Sequence, residues 1–125
     1  MDTPIKVLCV DDDRDTAQTT ALVLRAAGFD ARACPGGIEA LAVADGFRPD
    51  VCLIDLSMPG MSGEELAARL RAQHDRAPRC IALTGHWDIA SQHRSHNAGF
   101  ERHLVKPVDP DALVAAVRGP QPGGS

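Results

Sequence analysis

The stretch from Val51 to Gly60 constrains the fold of this chain more than any other feature. Four apolar residues in a row, Val-Cys-Leu-Ile, end abruptly on the carboxylate of Asp55. An apolar run this short, bounded by Pro-Asp before it and Pro-Gly after it, is typical of a strand buried on both faces of a parallel sheet. Ligand chemistry in open α/β sheets is placed where such strands end. Asp55 is therefore a candidate functional residue; the plainer alternative is that it caps a loop or the next helix.

The rest of the chain alternates between strand-like and helix-like segments. Strands are predicted at residues 5–10, 29–34, 51–55, 79–84 and 102–106. Helices are predicted at about 14–27, 38–45, 63–73, 88–98 and 110–118. The expected helix N-caps are Asp13, Ser62 and Asp109. In the second helix, Ile38, Leu41 and Ala42 are expected to face the core, and Gly46 is expected to end it.

This alternation determines the predicted fold. Five strands that alternate with five helices over short connections predict parallel βαβ units. The fold class is therefore α/β, a single (βα)5 doubly wound parallel sheet with helices on both faces, and the expected strand order is the flavodoxin-like 2-1-3-4-5. One domain is expected over residues 1–119, followed by a flexible Gly/Pro tail at 120–125.

The composition excludes several classes of function. Hydrophobic residues make up 44% of the chain and charged residues 24%, which is typical of a globular protein with a core. The net charge is −4 and no basic tract occurs, so direct binding to nucleic acid is not expected. The chain shows no signal-peptide pattern and no apolar run that could span a membrane, which predicts a cytoplasmic protein without a membrane partner. The four cysteines form no Cys-x-x-Cys pair, and the three in or beside apolar runs, Cys9, Cys52 and Cys80, are expected to be buried thiols.

In the predicted strand order, polar residues collect at one edge of the sheet, where strands one, three, four and five end. The residues at that edge are Asp11, Asp12, Asp55, Thr84 and Lys106. Neighbouring carboxylates repel one another, so a fold keeps them together only if something offsets their charge. Mg²⁺ is the natural candidate because it prefers oxygen ligands. Asp12 and Asp55 would supply side-chain ligands. Asp11 would bind through water and Ser57 through its backbone carbonyl.

The same edge carries groups suited to phosphoryl transfer. Lys106 supplies a positive charge and Thr84 a hydroxyl donor, both of which stabilise charge on a transferring phosphoryl group. Asp55 would then be the nucleophile and would form an aspartyl phosphate. Each residue alone is a weak signal, but the acids, the Thr and the Lys each follow a strand, in this order along the chain.

Four motifs carry a resemblance to a known family. They are Val10-Asp11-Asp12, the run DLSMPGMSG from Asp55 to Gly63, Ala82-Leu83-Thr84-Gly85, and Lys106-Pro107. With these motifs the chain resembles the receiver domain of two-component response regulators over residues 5–118. Its carboxyl half is similar to the receivers of hybrid histidine kinases.

The resemblance implies a function. Asp55 would accept a phosphoryl group from the phosphohistidine of a sensor histidine kinase or a histidine phosphotransfer protein, with Mg²⁺ bound at the acid pair. Thr84 and Lys106 would contact that group, and the Lys106–Pro107 peptide bond would be cis. Phosphorylation would change the surface of the fourth helix, fifth strand and fifth helix, which a fused or separate output partner would read. The module would catalyse only its own phosphorylation and dephosphorylation and would not be an enzyme with turnover on a metabolite.

Three positions beside the expected site bear on the details of that function. His103 stands where the family usually carries an aromatic switch residue, and we expect Thr84 and His103 to act as the switch pair; the plainer alternative for His103 is a solvated histidine with little effect. Ser57 and His86 occupy positions that in the family influence how long the phosphoryl group lasts. The plainer alternative is that both simply coat the rim of the site.

Two other functions that the same kind of sheet can carry fit this sequence less well. A flavin or nucleotide binder is disfavoured because the chain has no G-x-G-x-x-G and no G-x-x-x-x-G-K-[ST] loop. A Mg²⁺-dependent phosphatase with an Asp nucleophile commonly carries a second Asp two residues on, where this chain has Ser57. His93 and His96 are conceivable zinc ligands but are better explained as solvated helix residues.

Overall fold

Five strands and five helices alternate along the chain in the computed structural model, which describes residues 3–73, 75–85 and 89–119. The strands are β1 (Lys6–Val10), β2 (Asp30–Cys34), β3 (Val51–Asp55), β4 (Arg79–Thr84) and β5 (Arg102–Val105). The helices are α1 (Arg14–Ala26), α2 (Gly37–Phe47), α3 (Gly63–Gln73), α4 (Ile89–Asn97) and α5 (Pro110–Arg118). None of the helices in the described ranges has both the length and the apolar character needed to cross a membrane. The predicted tail at 120–125 lies outside these ranges.

The strands form one parallel sheet in the order β2-β1-β3-β4-β5. At its centre β1 pairs with β3, with Val7 opposite Val51 and Val10 opposite Ile54. The chain leaves β1 toward one edge of the sheet for β2 and returns to the other side of β1 for β3, so a crevice opens at the carboxyl ends of β1 and β3. The predicted α/β class and the flavodoxin-like strand order are confirmed.

Helices cover both faces of the sheet and bury two cores. Successive side chains of a strand point to opposite faces, so Leu8 and Ile54 pack toward α2 and α3, whereas Val7 and Leu53 pack toward α1 and α5. Every residue of β3 is buried, as the unbroken apolar run predicts. With apolar layers on both sides, the backbone of β3 holds Asp55 in a fixed position at the end of the strand.

Helix caps fix where three of the helices begin. The side chains of Asp13, Ser62 and Asp109 each accept a first-turn backbone N–H at 3.1 Å, in α1, α3 and α5 respectively. These caps are the predicted ones. Each of the three helices begins a few residues after a strand ends, so their amino-terminal ends surround the same edge of the sheet as the acidic residues.

The second helix differs from the prediction in its buried face. Ile38 is 74% exposed and Ala42 is also exposed, so their predicted inward positions were wrong, whereas Leu41 packs partly buried against the core. The residues that face the sheet are Gly37, Ala40, Ala44 and Phe47. Small residues at three of these positions let the helix lie close to the sheet. Ile38 falls one residue off that stripe and therefore points to solvent.

The second helix also ends later than predicted. Gly46 lies inside the helix, which continues to Phe47 and ends where Arg48 adopts a left-handed conformation with φ of 54°. Phe47 is 5% exposed in the core. Burying such a side chain contributes about 1.5–3 kcal/mol, which outweighs the cost of about 1 kcal/mol for a glycine in a helix. Pro49 follows, and the residue before a proline avoids the helical conformation.

Candidate functional site

The ends of β1, β3, β4 and β5 bring the predicted residues to one edge of the sheet. Asp11 directly follows β1, Asp55 ends β3, Thr84 ends β4, and Lys106 directly follows β5. Asp11, Asp55 and Thr84 are buried, each with 4% or less of its surface exposed. Asp12 is exposed at the mouth of the crevice. The ends of the strands therefore hold two carboxylates, those of Asp11 and Asp55, away from water.

Short backbone contacts orient Asp11 and Asp55. The N–H of Asp13 donates to Oδ1 of Asp11 at 3.0 Å, and the N–H of Ser57 donates to Oδ1 of Asp55 at 3.0 Å. In both cases a residue two positions on closes a tight turn on the side chain. Gly63, the first residue of α3, packs so closely that a Cβ there would lie 2.7 Å from the carbonyl oxygen of Asp55. The loop that joins Asp55 to Gly63 is thus held at both of its ends.

Lys106 neutralises part of the acidic cluster. Its Nζ lies 2.7 Å from Oδ2 of Asp11 and 3.4 Å from Oδ2 of Asp55. Its backbone N–H donates to the carbonyl of Thr84 at 2.7 Å, which ties the end of β5 to the end of β4. The Lys106–Pro107 peptide bond is cis, as expected. From the sequence, the ammonium of Lys106 is expected to contact Asp55; in the structure its shorter contact is with Asp11.

The carboxylates of Asp11, Asp12 and Asp55 converge. Each offers an oxygen within 4.8 Å of the other two. Among the described residues this is the only such group of three His, Cys, Asp or Glu side chains, and neither His93 nor His96 belongs to one. Carboxylate oxygens are hard ligands of the kind that Mg²⁺ and Ca²⁺ bind, so the chemistry of the donors fits a divalent cation.

Electrostatics at this edge favour a bound cation as well. Burial raises the pKa of Asp55 above its ordinary value of 3.8, and the neighbouring Asp11 and Asp12 raise it further. The N–H of Ser57 and the ammonium of Lys106 offset only part of this effect. Burial alone would lower the pKa of Lys106, but its contacts with Asp11 and Asp55 outweigh burial and raise it. Lys106 therefore stays charged, and the cluster keeps an excess of negative charge.

The other predicted residues fall in different places. His103 lies half-buried in β5 opposite Ala82, on the face of the sheet that packs toward α2 and α3. Ser57 is exposed in the loop after Asp55. His86 lies outside the described residues, so its predicted influence on the phosphoryl lifetime stays a prediction.

Comparison with known proteins identifies the family. The sequence model of a protein family, the response regulator receiver domain, matches residues 7–118 of this chain. The chain belongs to this family. The DNA-binding response regulator MtrA of Mycobacterium tuberculosis is 36% identical over 113 residues, which are 90% of this chain and 49% of MtrA. The transcriptional regulatory protein PrrA of the same organism is 35% identical over 121 residues, 94% of this chain and 52% of PrrA.

Solved structures of receiver domains share the fold. A putative response regulator from Chloroflexus aurantiacus is 36% identical with a TM-score of 0.85, and the match covers 93% of this chain and 96% of that one. The chemotaxis protein CheY4 of Vibrio cholerae is 31% identical with a TM-score of 0.83, over 93% of this receiver and 98% of CheY4. The receiver spans about half the length of the curated relatives named above. It is the phosphoacceptor module of two-component signalling.

Sequence reasoning missed one contact next to the site. Glu64, in the first turn of α3, forms an ion pair with Arg94 of α4. The two residues are 30 positions apart, and neither lies in a motif. No local pattern could have indicated this pair, because it depends on how two helices lie side by side.

Proposed function

We propose that Asp55 is the phosphoacceptor of this receiver domain and that Lys106, Thr84 and the acidic cluster assist its phosphorylation. The observation that carries the proposal is the convergence of the carboxylates of Asp11, Asp12 and Asp55, two of which contact the ammonium of Lys106. Such an arrangement lowers stability, so a chemical role is the reason to keep it. The same residues lie at the carboxyl ends of the strands, where this kind of fold places its chemistry.

The contacts of Asp55 support a different role for each of its carboxylate oxygens. Oδ1 accepts the N–H of Ser57, which leaves Oδ2 as the oxygen available for attack. Oδ2 forms a bond to phosphorus while the bond from phosphorus to the imidazole nitrogen of a phosphohistidine breaks, and the imidazole leaves with the electron pair. Lys106, 3.4 Å from Oδ2, is placed to stabilise charge on the transferring group. Thr84 would add a hydroxyl donor.

Asp12, Asp55 and the backbone carbonyl of Ser57 would hold Mg²⁺, with Asp11 bound through water. When bound, Mg²⁺ offsets the charge of the acids and of the phosphoryl oxygens. The pairing of Asp11 with Lys106 supports the indirect role of Asp11, because Oδ2 of Asp11 is already occupied by the ammonium. The receiver would catalyse only its own phosphorylation and dephosphorylation. Ser57 stands where a phosphatase of this type would need a second acid, which argues against turnover on metabolites.

Phosphorylation would be read at the surface of α4, β5 and α5, with Thr84 and His103 as the switch residues. The connection between Thr84 and the end of β5 supports this route, since the Lys106 N–H is bonded to the Thr84 carbonyl. Phosphorylation would change the contacts of Thr84 and His103, and this change would shift the population between two arrangements of that surface.

Incubation with acetyl phosphate tests the acceptor directly. With Mg²⁺, intact mass spectrometry should show one added phosphoryl group in the parent protein and none in Asp55→Asn. Asp12→Asn, or the parent with EDTA, should react at least about tenfold more slowly. An adduct that persists in Asp55→Asn would contradict the assignment. Continuous release of phosphate from small esters would instead support a phosphatase.

The phosphoryl donor would be a sensor histidine kinase or a histidine phosphotransfer protein, acting in the cytoplasm. A groove of about 530 Å³ between α1 and the segment after β5 opens beside Lys106, and its lining includes Val23, Val108 and Leu113. Such a groove would offer a protein donor an apolar surface next to Lys106. In phosphotransfer profiling with purified, autophosphorylated kinases of the same genome, Val23→Glu should slow transfer from the cognate kinase. Its rate with acetyl phosphate should stay unchanged, because a small donor needs no docking surface.

The output would come from a partner or a fused domain outside residues 1–119. The name of MtrA describes a DNA-binding protein, and this receiver matches only about half of it. A DNA-binding or other output segment is therefore the kind of partner that the phosphorylated surface would control.

A further inference from the structure

An ion pair joins the middle of α4 to the start of α3. Arg94 of α4 places Nε and Nη2 each 2.7 Å from Oε2 of Glu64. The side chain of Arg94 is 54% exposed and that of Glu64 is 25% exposed. A pair this open to water is weak, so it restrains α4 without locking it.

The Glu64 carboxylate is not fully satisfied in this arrangement. Its second oxygen, Oε1, is buried and accepts no hydrogen bond from the part of the chain that the structure describes. A buried acceptor without a donor opposes the arrangement that contains it. The contact between α3 and α4 is therefore one that a modest free-energy change can displace.

The same helix α3 is packed against the phosphoacceptor. Gly63 has no room for a Cβ beside the Asp55 carbonyl oxygen, and Glu64 is the next residue. At the far end of α4, the guanidinium of Arg71 in α3 lies over Gly99, where a Cβ would be 2.7 Å from Nη1. The single helix α3 thus contacts the end of β3, the middle of α4 and the turn after α4.

We propose that the Glu64–Arg94 pair is a latch that holds α4 against α3 while Asp55 is an unmodified carboxylate. Glu64 is then a positioning residue that limits how readily Asp55 takes up a phosphoryl group. This inference rests on the proposed function. β4 ends in Thr84 and α4 is the next element of the chain, so a movement of Thr84 toward a phosphoryl group would be passed to α4 and would strain its contact with α3. A contact that is made only in the unmodified arrangement stabilises that arrangement. It therefore lowers the population of the phosphorylation-competent arrangement by the free energy that the contact contributes.

Rates of phosphorylation by acetyl phosphate with Mg²⁺, followed by intact mass, measure the latch. Glu64→Gln and Arg94→Gln should each react about two- to fivefold faster than the parent. Arg94→Lys keeps the charge and should stay close to the parent rate. Arg69→Gln is the matched control, because the Arg69–Glu65 pair has a similar 2.8 Å contact but lies entirely within α3. It should not change the rate.

Hydrogen–deuterium exchange of the segment 89–100, without a phosphoryl donor, gives a second readout. Exchange there should be faster in Glu64→Gln than in the parent and unchanged in Arg69→Gln. Equal exchange in all three proteins would overturn the latch. Faster exchange with an unchanged phosphorylation rate would show a merely structural contact and would overturn the regulatory role. If no protein gains a phosphoryl group, the proposed function itself fails and the regulatory role with it, whereas the exchange data still show whether Glu64 restrains α4.

Discussion

The two ends of the sheet carry the same kinds of charged residue but arrange them differently. At the amino end, Arg79 at the start of β4 contacts Glu101 at 2.6 Å and donates to the last carbonyls of α5 at 2.8 and 2.9 Å. Asp50, just before β3, accepts the backbone N–H of Lys6 at 2.9 Å. These charges are matched by opposite charges or by backbone groups that a helix end or strand end leaves open.

At the carboxyl end, by contrast, three carboxylates converge, and the ammonium of Lys106 contacts two of them, those of Asp11 and Asp55. Burial and like charge raise the pKa of Asp55 there, which means that the fold holds a charge under unfavourable conditions. One end of this sheet is thus arranged for stability, and the other holds the charged groups that we propose take part in phosphorylation. Substitutions at the amino end should therefore change stability alone, whereas substitutions of the charged residues at the carboxyl end should also change phosphorylation.

The largest effect is expected from removing the Lys106 ammonium at the carboxyl end. Lys106→Met leaves Asp11 and Asp55 without a positive partner and should lower the free energy of unfolding by about 3 kcal/mol in EDTA. Mg²⁺ should restore part of that loss, because a ligand that binds only the folded state stabilises it. Urea unfolding with and without Mg²⁺ measures both. Lys6→Met at the amino end is the control and should change little, since the contact of Lys6 with Asp50 is made by its backbone. An unaltered midpoint for Lys106→Met would mean that the acids do not repel.

The next effect is expected from two glycine-to-alanine substitutions, one at each end of the sheet, which should change stability in opposite directions. Gly63→Ala at the carboxyl end would press a Cβ against the backbone of Asp55 and should cost about 2–3 kcal/mol. Gly46→Ala, near the end of α2, meets no atom within 4 Å and should stabilise by about 0.5–1 kcal/mol, because alanine is the better helix former. Thermal unfolding of both variants decides this, and destabilisation by Gly46→Ala would contradict it.

The charged network at the amino end should affect stability but not phosphorylation. Arg79→Gln removes the contact with Glu101 and leaves the last carbonyls of α5 with fewer donors, so the free energy of unfolding should fall by about 1–2 kcal/mol. The rate of phosphorylation by acetyl phosphate should not change, because the network lies at the far end of the strands from Asp55. A slowed reaction at a temperature where the variant is fully folded would break the separation between the two ends.

The smallest expected effect concerns pH. Because the pKa of Asp55 is raised above 3.8 in the folded protein, the folded state binds this proton more tightly than the unfolded state. The cost of the Asp55 charge is therefore fully present above the raised pKa and disappears as the pH falls through it toward 3.8.

In metal-free buffer, Asp55→Asn should accordingly be more stable than the parent near neutral pH, and the difference should narrow on acidification. We expect a difference smaller than that for Arg79→Gln. Midpoints of urea unfolding, measured at a series of pH values with EDTA, test this. A gap that widens as the pH falls would show that the Asp55 carboxylate is net stabilised by its surroundings.

Much of the fold followed from local patterns. β3 was predictable because its apolar run is unbroken, and α3 and α5 were predictable because Ser62 and Asp109 mark their starts. The end of α2 was not, because the burial of Phe47 in the core overrides the tendency of Gly46 to end a helix. Ile38 was misplaced for a related reason: its neighbours Gly37 and Ala40 are the residues small enough to pack against the sheet.

By itself the sequence determined that acids, a threonine and a lysine would meet at one edge, since parallel strands all end on the same side of a sheet. The roles of these residues stay predictions, to be tested by the phosphorylation experiments. Only the tertiary structure decided that Lys106 lies closer to Asp11 than to Asp55, and that Glu64 contacts Arg94. The physical reason is that strand order and periodicity are properties of short segments. The partner of a long charged side chain depends instead on distances between segments far apart in the chain.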